Sequence, residues 1–137
     1  MSPVDRPLPH TNPYKGRTGV ERLVYAFGYS VDGLVAAFKG ESAFRQEVVL
    51  GLLLLPLAAW LAADTGQLVL MIGSLLVVLI AELLNSAVEA TVDRISFENH
   101  PLSKRAKDMG SAAVLLALLL AALAWGSVLW MNFGPAT

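Results

Sequence analysis

The sequence predicts an all-α membrane protein, with three transmembrane helices and an N-terminal amphipathic surface helix. Three observations predict it. The chain is 55% hydrophobic, and its mean hydropathy of +0.60 is too high for an ordinary soluble domain. All ten Lys and Arg fall in two blocks, Arg6 to Arg45 and Arg94 to Lys107, with none between Gln46 and Asp93 or after Lys107. Between and beyond those blocks lie three apolar runs, each with about the 20 residues a bilayer crossing requires.

Taken in order, residues 1–17 hold Pro3, Pro7, Pro9 and Pro13 among polar residues, and a disordered tail is expected. From 18 to 40, Leu23, Phe27, Leu34 and Phe38 recur at helical spacing with Arg22, Tyr25, Tyr29 and Asp32 interleaved. This predicts a helix lying in the membrane interface, weakened as a straight rod by Gly28, Gly33 and Gly40. The first span is expected at about 44–63, with a kink at Pro56. The second is expected at about 67–91 and the third at about 109–131. Trp60, Trp125 and Trp130 sit near span ends, where interfacial aromatics belong. The connection around Asp64 carries no Lys or Arg, whereas Arg94 to Lys107 carries four of them. The positive-inside rule therefore puts the N-terminus and the second connection in the cytoplasm. A chain of 137 residues allows one domain, 18–137. Cysteine is absent, which excludes thiol and disulfide chemistry. No signal peptide is evident, and no nucleic-acid partner is expected.

The candidate chemistry lies at the end of the second span. Glu82, Asn85, Glu89 and Asp93 are three, four and four residues apart. At roughly 100° per residue they share one helix face. Carboxylates at the edge of a lipid-soluble helix are expensive and usually mark a site. The predicted topology brings Lys104, Arg105, Lys107 and Asp108 to the same level, with Glu41, Arg45 and Glu47 at the start of the first span. Acids that hold Mg²⁺ beside bases that hold phosphate are what phosphoryl transfer needs. No Walker loop or protein-kinase signature is present, so any nucleotide site must be built from these helix-borne groups. Plainer readings exist: the acids snorkel to water, the Lys and Arg only set topology, and Arg22 and Tyr29 only anchor a helix. Four polar groups on one face, with further acids and bases at the same depth, favour a site. Gly73, Gly110, Ser111 and Ala112 read as close helix packing, and His10 and His100 as lone surface residues.

Three motifs, Ala43-Phe-Arg-Gln-Glu47, Glu82-Leu-Leu-Asn-Ser-Ala-Val-Glu-Ala-Thr-Val-Asp-Arg94 and Ala106-Lys-Asp-Met-Gly-Ser-Ala-Ala-Val114, occur in that order after Gly28-Tyr-Ser30. They closely resemble the bacterial integral-membrane diacylglycerol kinase family, over about 17–134. The resemblance implies a homotrimer in the inner membrane, with composite sites facing the cytoplasm. It implies transfer of the ATP γ-phosphate to diacylglycerol, giving phosphatidic acid, with Mg²⁺. Matched position by position, Glu82 corresponds to the catalytic base and Asn85 to a polar residue beside it. Glu41 and Glu89 correspond to the metal-binding acids. Arg22, Tyr29, Glu98, Asn99, His100, Lys107 and Asp108 match nucleotide-binding positions, to which Glu41 and Glu89 contribute through the metal. Ser30, Glu47 and Ser111 match the lipid site, with Arg22, Glu82, Phe44, Arg45 and Trp125 at or near it. Val31, Asp32 and Val35 stand where enteric-type members tend to have aromatic or basic residues, and Gly40 precedes Glu41. The competing expectations are an undecaprenol kinase of the same family, a small proton-coupled transporter using Glu82, and a non-catalytic assembly subunit. The pattern Asn85-Ser-Ala-Val-Glu89 leans towards diacylglycerol. A transporter would carry its acid nearer the midplane.

Overall fold

A computed structural model describes residues 19–135, and within them the protein is entirely helical. The helices are α1 (Gly19–Gly40), α2 (Ser42–Leu61), α3 (Thr65–Ile95) and α4 (Pro101–Phe133). The Pro-rich segment 1–17 lies outside the described residues. Gly19 to Val35 forms one compact unit and residues 36–135 form the other. In the first unit, α1 runs unbroken through Gly28 and Gly33, so these glycines lower its stability without ending it.

In the second unit, α2, α3 and α4 are each long and apolar enough to cross a membrane. Their outward faces carry Leu53, Leu76, Leu116 and Leu123, all exposed, as lipid-facing positions are. The helix α2 continues through Pro56, whose missing N–H frees only the carbonyl of Leu52. Each expected span falls within one of these three helices, apart from the last residues of the first, but α3 and α4 run past them. With 31 and 33 residues they measure about 46 and 50 Å, against a hydrocarbon core of about 30 Å. The reason is that a helix does not stop where hydrophobicity does. It stops where its capping groups stand.

Those caps are clear. Asp64 caps α3 by accepting from the Gln67 N–H at 2.9 Å, and Gln67 Oε1 accepts from the Ala63 N–H at 2.9 Å. His100 caps α4 through Nδ1, which accepts from the Leu102 N–H at 3.2 Å, with Pro101 next in line. Glu41 occupies the N-cap of α2 in an extended conformation, yet its side chain makes no capping bond. The turn before it is tied instead by Arg45, whose Nη1 donates to the Phe38 and Lys39 carbonyls at 3.0 and 3.2 Å.

Packing is strongest between α3 and α4, weaker between α2 and α3, and slight between α2 and α4. The fully buried core, Ala58, Met71 and Val128, lies toward the Asp64 end. There a side-chain clasp joins all three helices. Asn132 Nδ2 donates to the Leu61 carbonyl at 2.9 Å and to Gln67 Oε1 at 2.7 Å, and Gln67 Nε2 donates back to Asn132 Oδ1 at 3.1 Å. Since α3 begins and α4 ends at this clasp, the surplus length of both emerges at the opposite end.

Candidate active site

The polar residues of α3 and α4 are concentrated in that opposite half. At 1.5 Å per residue, Glu82 stands about 26 Å from Thr65, Glu89 about 36 Å and Asp93 about 42 Å. On α2, Glu47 and Glu41 stand about 21 and 30 Å from Leu61 by the same measure. Glu82 is therefore well beyond the midplane of a core about 30 Å thick, near its far boundary.

The stripe on α3 faces its own bundle. Glu82 is only 6% exposed, and its charged neighbours are Glu41 and Glu89. Glu47, half-buried on α2, approaches Glu82 as well. Asn85, one turn beyond Glu82, donates through Nδ2 to Glu89 Oε1 at 3.1 Å. Asp93 Oδ1 accepts from Lys107 Nζ of α4 at 2.6 Å. Two buried side-chain oxygens in this region, Glu47 Oε2 and Asn85 Oδ1, have no hydrogen-bond partner. Four carboxylates around one buried position repel one another, and such a cluster is held only by the fold around it.

Just beyond lies a cleft of about 730 Å³ where α3 turns into α4, lined by Asp93, Glu98, Asn99, His100, Lys104 and Lys107 among others. Of the expected nucleotide residues it gathers Glu98, Asn99, His100 and Lys107. Asp108 does not line it: its carboxylate pairs with Lys104 Nζ at 2.5 Å, on the exposed side of α4. A second, apolar cleft of about 240 Å³ lies among α2, α3 and α4, where α2 and α4 barely touch. Glu47 stands at one end and Trp125 at the other, with Gly51, Leu54, Leu79 and Leu118 between. Of the expected lipid residues, Glu47 and Trp125 meet here. Trp125 Nε1 donates to the Met71 carbonyl at 3.3 Å. Phe44 is buried in the α2 turn, while Arg45 and Ser111 are exposed. Arg22, Tyr29 and Ser30 belong to the separate Gly19–Val35 unit, where Ser30 Oγ donates to the Ala26 carbonyl at 3.0 Å.

Mg²⁺ fits the donors present. Among the described residues no group of three or more His, Asp or Glu is arranged to hold a metal by itself. None is required, because Mg²⁺ is usually held by one or two carboxylates plus substrate phosphates. The Glu41 side chain makes no capping bond, and Glu89 has one oxygen on Asn85 and a second to offer. Sequence reasoning missed the Asp93–Lys107 pair and the contact of Asn85 with Gly110. Neither has a local signal, since both depend on the register of α3 against α4. The Asp64 cap did have one, the Asp-x-x-Gln spacing.

A helical bundle able to span a membrane, with buried acids at one end and a base-lined cleft beyond them, defines a class of membrane-embedded enzyme. The model of the family described as prokaryotic diacylglycerol kinase matches residues 28–129. The diacylglycerol kinase of Pseudomonas aeruginosa is 54% identical over 118 residues, covering 86% of this chain and 96% of that protein. The diacylglycerol kinase of Escherichia coli K12 is 54% identical over 117 residues, covering 85% and 96%. That of Helicobacter pylori is 46% identical over 111 residues, covering 81% and 87%. The chain belongs to the prokaryotic diacylglycerol kinase family and is an enzyme of that class.

Proposed function

We propose that this protein transfers the γ-phosphate of ATP to the free hydroxyl of diacylglycerol, giving phosphatidic acid and ADP. The observation that carries the reading is buried Glu82, ringed by Glu41, Glu47 and Glu89, between an apolar cleft and a Lys-lined one. In this reading the acyl portion occupies the apolar side, against Trp125, Phe44 and the aliphatic residues of α2 and α4. Glu47 and Ser111 orient the glycerol. Glu82 takes the hydroxyl proton as the new O–P bond forms and the γ-phosphorus leaves the β-phosphate oxygen. A positioned carboxylate suits that role. Lys107, His100, Asn99 and Glu98 hold the nucleotide, joined by Arg22, Tyr29 and Asp108. Glu41 and Glu89 would hold Mg²⁺, which when bound neutralises phosphate charge. The depth of Glu82 supports a kinase over a transporter, whose site would lie about 15 Å in, at the midplane of a core about 30 Å thick.

The same reading places the protein in the inner membrane as a homotrimer, with α1 on the cytoplasmic surface. Arg22, Tyr29 and Ser30 of one copy would then complete the site on the spans of a neighbouring copy. The broad apolar face formed by Ile80, Leu84, Ala113, Leu116 and Leu120 supports helix packing between copies.

The test is transfer of label from γ-labelled ATP in mixed micelles, offering diacylglycerol and undecaprenol in parallel. Labelled phosphatidic acid is expected, with the rate reduced at least about a hundredfold in Glu82→Gln, as loss of a general base requires. Preferential labelling of undecaprenol would change the acceptor and keep the site. Full activity in Glu82→Gln would remove the base.

A further inference from the structure

Gly110 lies on α4 directly opposite Asn85. A Cβ built on Gly110 would collide with Asn85 Oδ1 and crowd its Cγ at 3.3 Å, so the amide occupies the space that any larger residue would fill. The orientation of that amide is fixed by chemistry. Nδ2 donates to Glu89 Oε1, and the reverse orientation would set an oxygen against a carboxylate. Asn85 Oδ1 is buried without a hydrogen-bond partner. An orphaned buried carbonyl costs about 1–3 kcal/mol and marks a geometry the surroundings impose.

We propose that Gly110 is a positioning residue: its missing side chain lets Asn85 lie against α4 and hold one oxygen of Glu89, leaving the other directed to a divalent cation. The proposal rests on the assignment of Glu89 as a metal-holding acid. It differs from close helix packing in what it requires. If packing were the whole role, Gly110→Ala would lower stability through its clash with Asn85 and leave the cation affinity of the folded protein unchanged. Acting through Asn85, it alters cation affinity, and only while Asn85 is present.

The experiment is a four-variant cycle: wild type, Gly110→Ala, Asn85→Ala and the double variant, purified whole in micelles. Mn²⁺ is titrated with a non-hydrolysable ATP analogue and followed by electron paramagnetic resonance, alongside thermal unfolding. Gly110→Ala and Asn85→Ala should each weaken Mn²⁺ binding about tenfold, the usual scale for losing a ligand-orienting partner, and the double variant no further. Additive losses, or wild-type affinity in Gly110→Ala, would overturn the proposal. Should Gly110→Ala fail to fold, Asn85→Ala and the double variant decide: Mn²⁺ binding weakened equally in both supports the proposal, and wild-type affinity in Asn85→Ala or failure of the double variant to fold overturns it. Glu89→Gln is the control for the underlying reading. Unchanged Mn²⁺ binding there removes Glu89 as a metal ligand. Weakened binding in Glu89→Gln with none in Gly110→Ala removes only the role of Gly110.

Discussion

Lys107 illustrates how one side chain divides its work between fold and chemistry. Its ammonium pairs with Asp93, but the two side chains are 39% and 41% exposed, so solvent screens the pair. A bridge of that exposure contributes at most about 1 kcal/mol. The pair is therefore easily opened, and Lys107 also lines the cleft assigned to the nucleotide. Two variants separate the roles. Lys107→Met should raise the KM for ATP about tenfold, the loss of one charge-assisted hydrogen bond, with little change in unfolding. Asp93→Asn should leave that KM unchanged or lower, because it removes the negative charge that competes for the ammonium. Equal rises in both would instead make the pair a structural latch. The acids of this site were legible because carboxylates in an apolar helix stand out in any reading. The partner of Asp93 was not, because it lies fourteen residues away on another helix, at a register no local pattern encodes.

At the scale of the element, each end of the bundle is specified by different means. Apolar length anticipated three long helices, α2, α3 and α4. It left α3 and α4 too short, because Val92 to Ile95 and Pro101 to Asp108 are polar enough to lie outside lipid yet remain helical up to the ends of α3 and α4. The far end depends on Asn132, which satisfies both the last carbonyl of α2 and the Gln67 amide. In lipid the hydrophobic effect does not press helices together, so such bonds and close packing must do so. Asn132→Leu removes three of them and leaves the half-buried Gln67 Nε2 without its acceptor. It should lower the free energy of unfolding in a denaturing-detergent titration by about 1–2 kcal/mol, with kcat retained in the folded fraction. The separation explains why: along α3 the clasp residue Gln67 lies about 22 Å from Glu82 and about 33 Å from Glu89. A matching loss of kcat would mean that the clasp and the acids are coupled through α3. This clasp was invisible in the sequence, where Gln67 and Asn132 are isolated amides 65 residues apart.

For the whole molecule, the decisive quantity is direction across the membrane. The acidic half of α3 and the Lys-bearing start of α4 share one end, and the Asp64 turn and Gly134 share the other. A nucleotide reaches the first end only if that end faces the cytoplasm, where ATP is. The charge pattern argues the same orientation independently, since Arg94, Lys104, Arg105 and Lys107 lie at one end while the other has no Lys or Arg. Reversal would carry four cations across, each costing about 2.3 kcal/mol against a potential of 100 mV, before any desolvation. Because the chain contains no cysteine, single Cys probes report without background. Phe97 is 89% exposed beside the α3–α4 turn, and Pro135 is exposed beyond the end of α4. With a membrane-impermeant maleimide, Phe97→Cys should label in inside-out vesicles and Pro135→Cys in right-side-out ones. Labelling of Phe97→Cys from outside would place the acids away from ATP, and the kinase reading would fail with the orientation. Labelling of both probes from both sides would mean two orientations coexist, and then only the fraction with Phe97 facing inward should carry transferase activity.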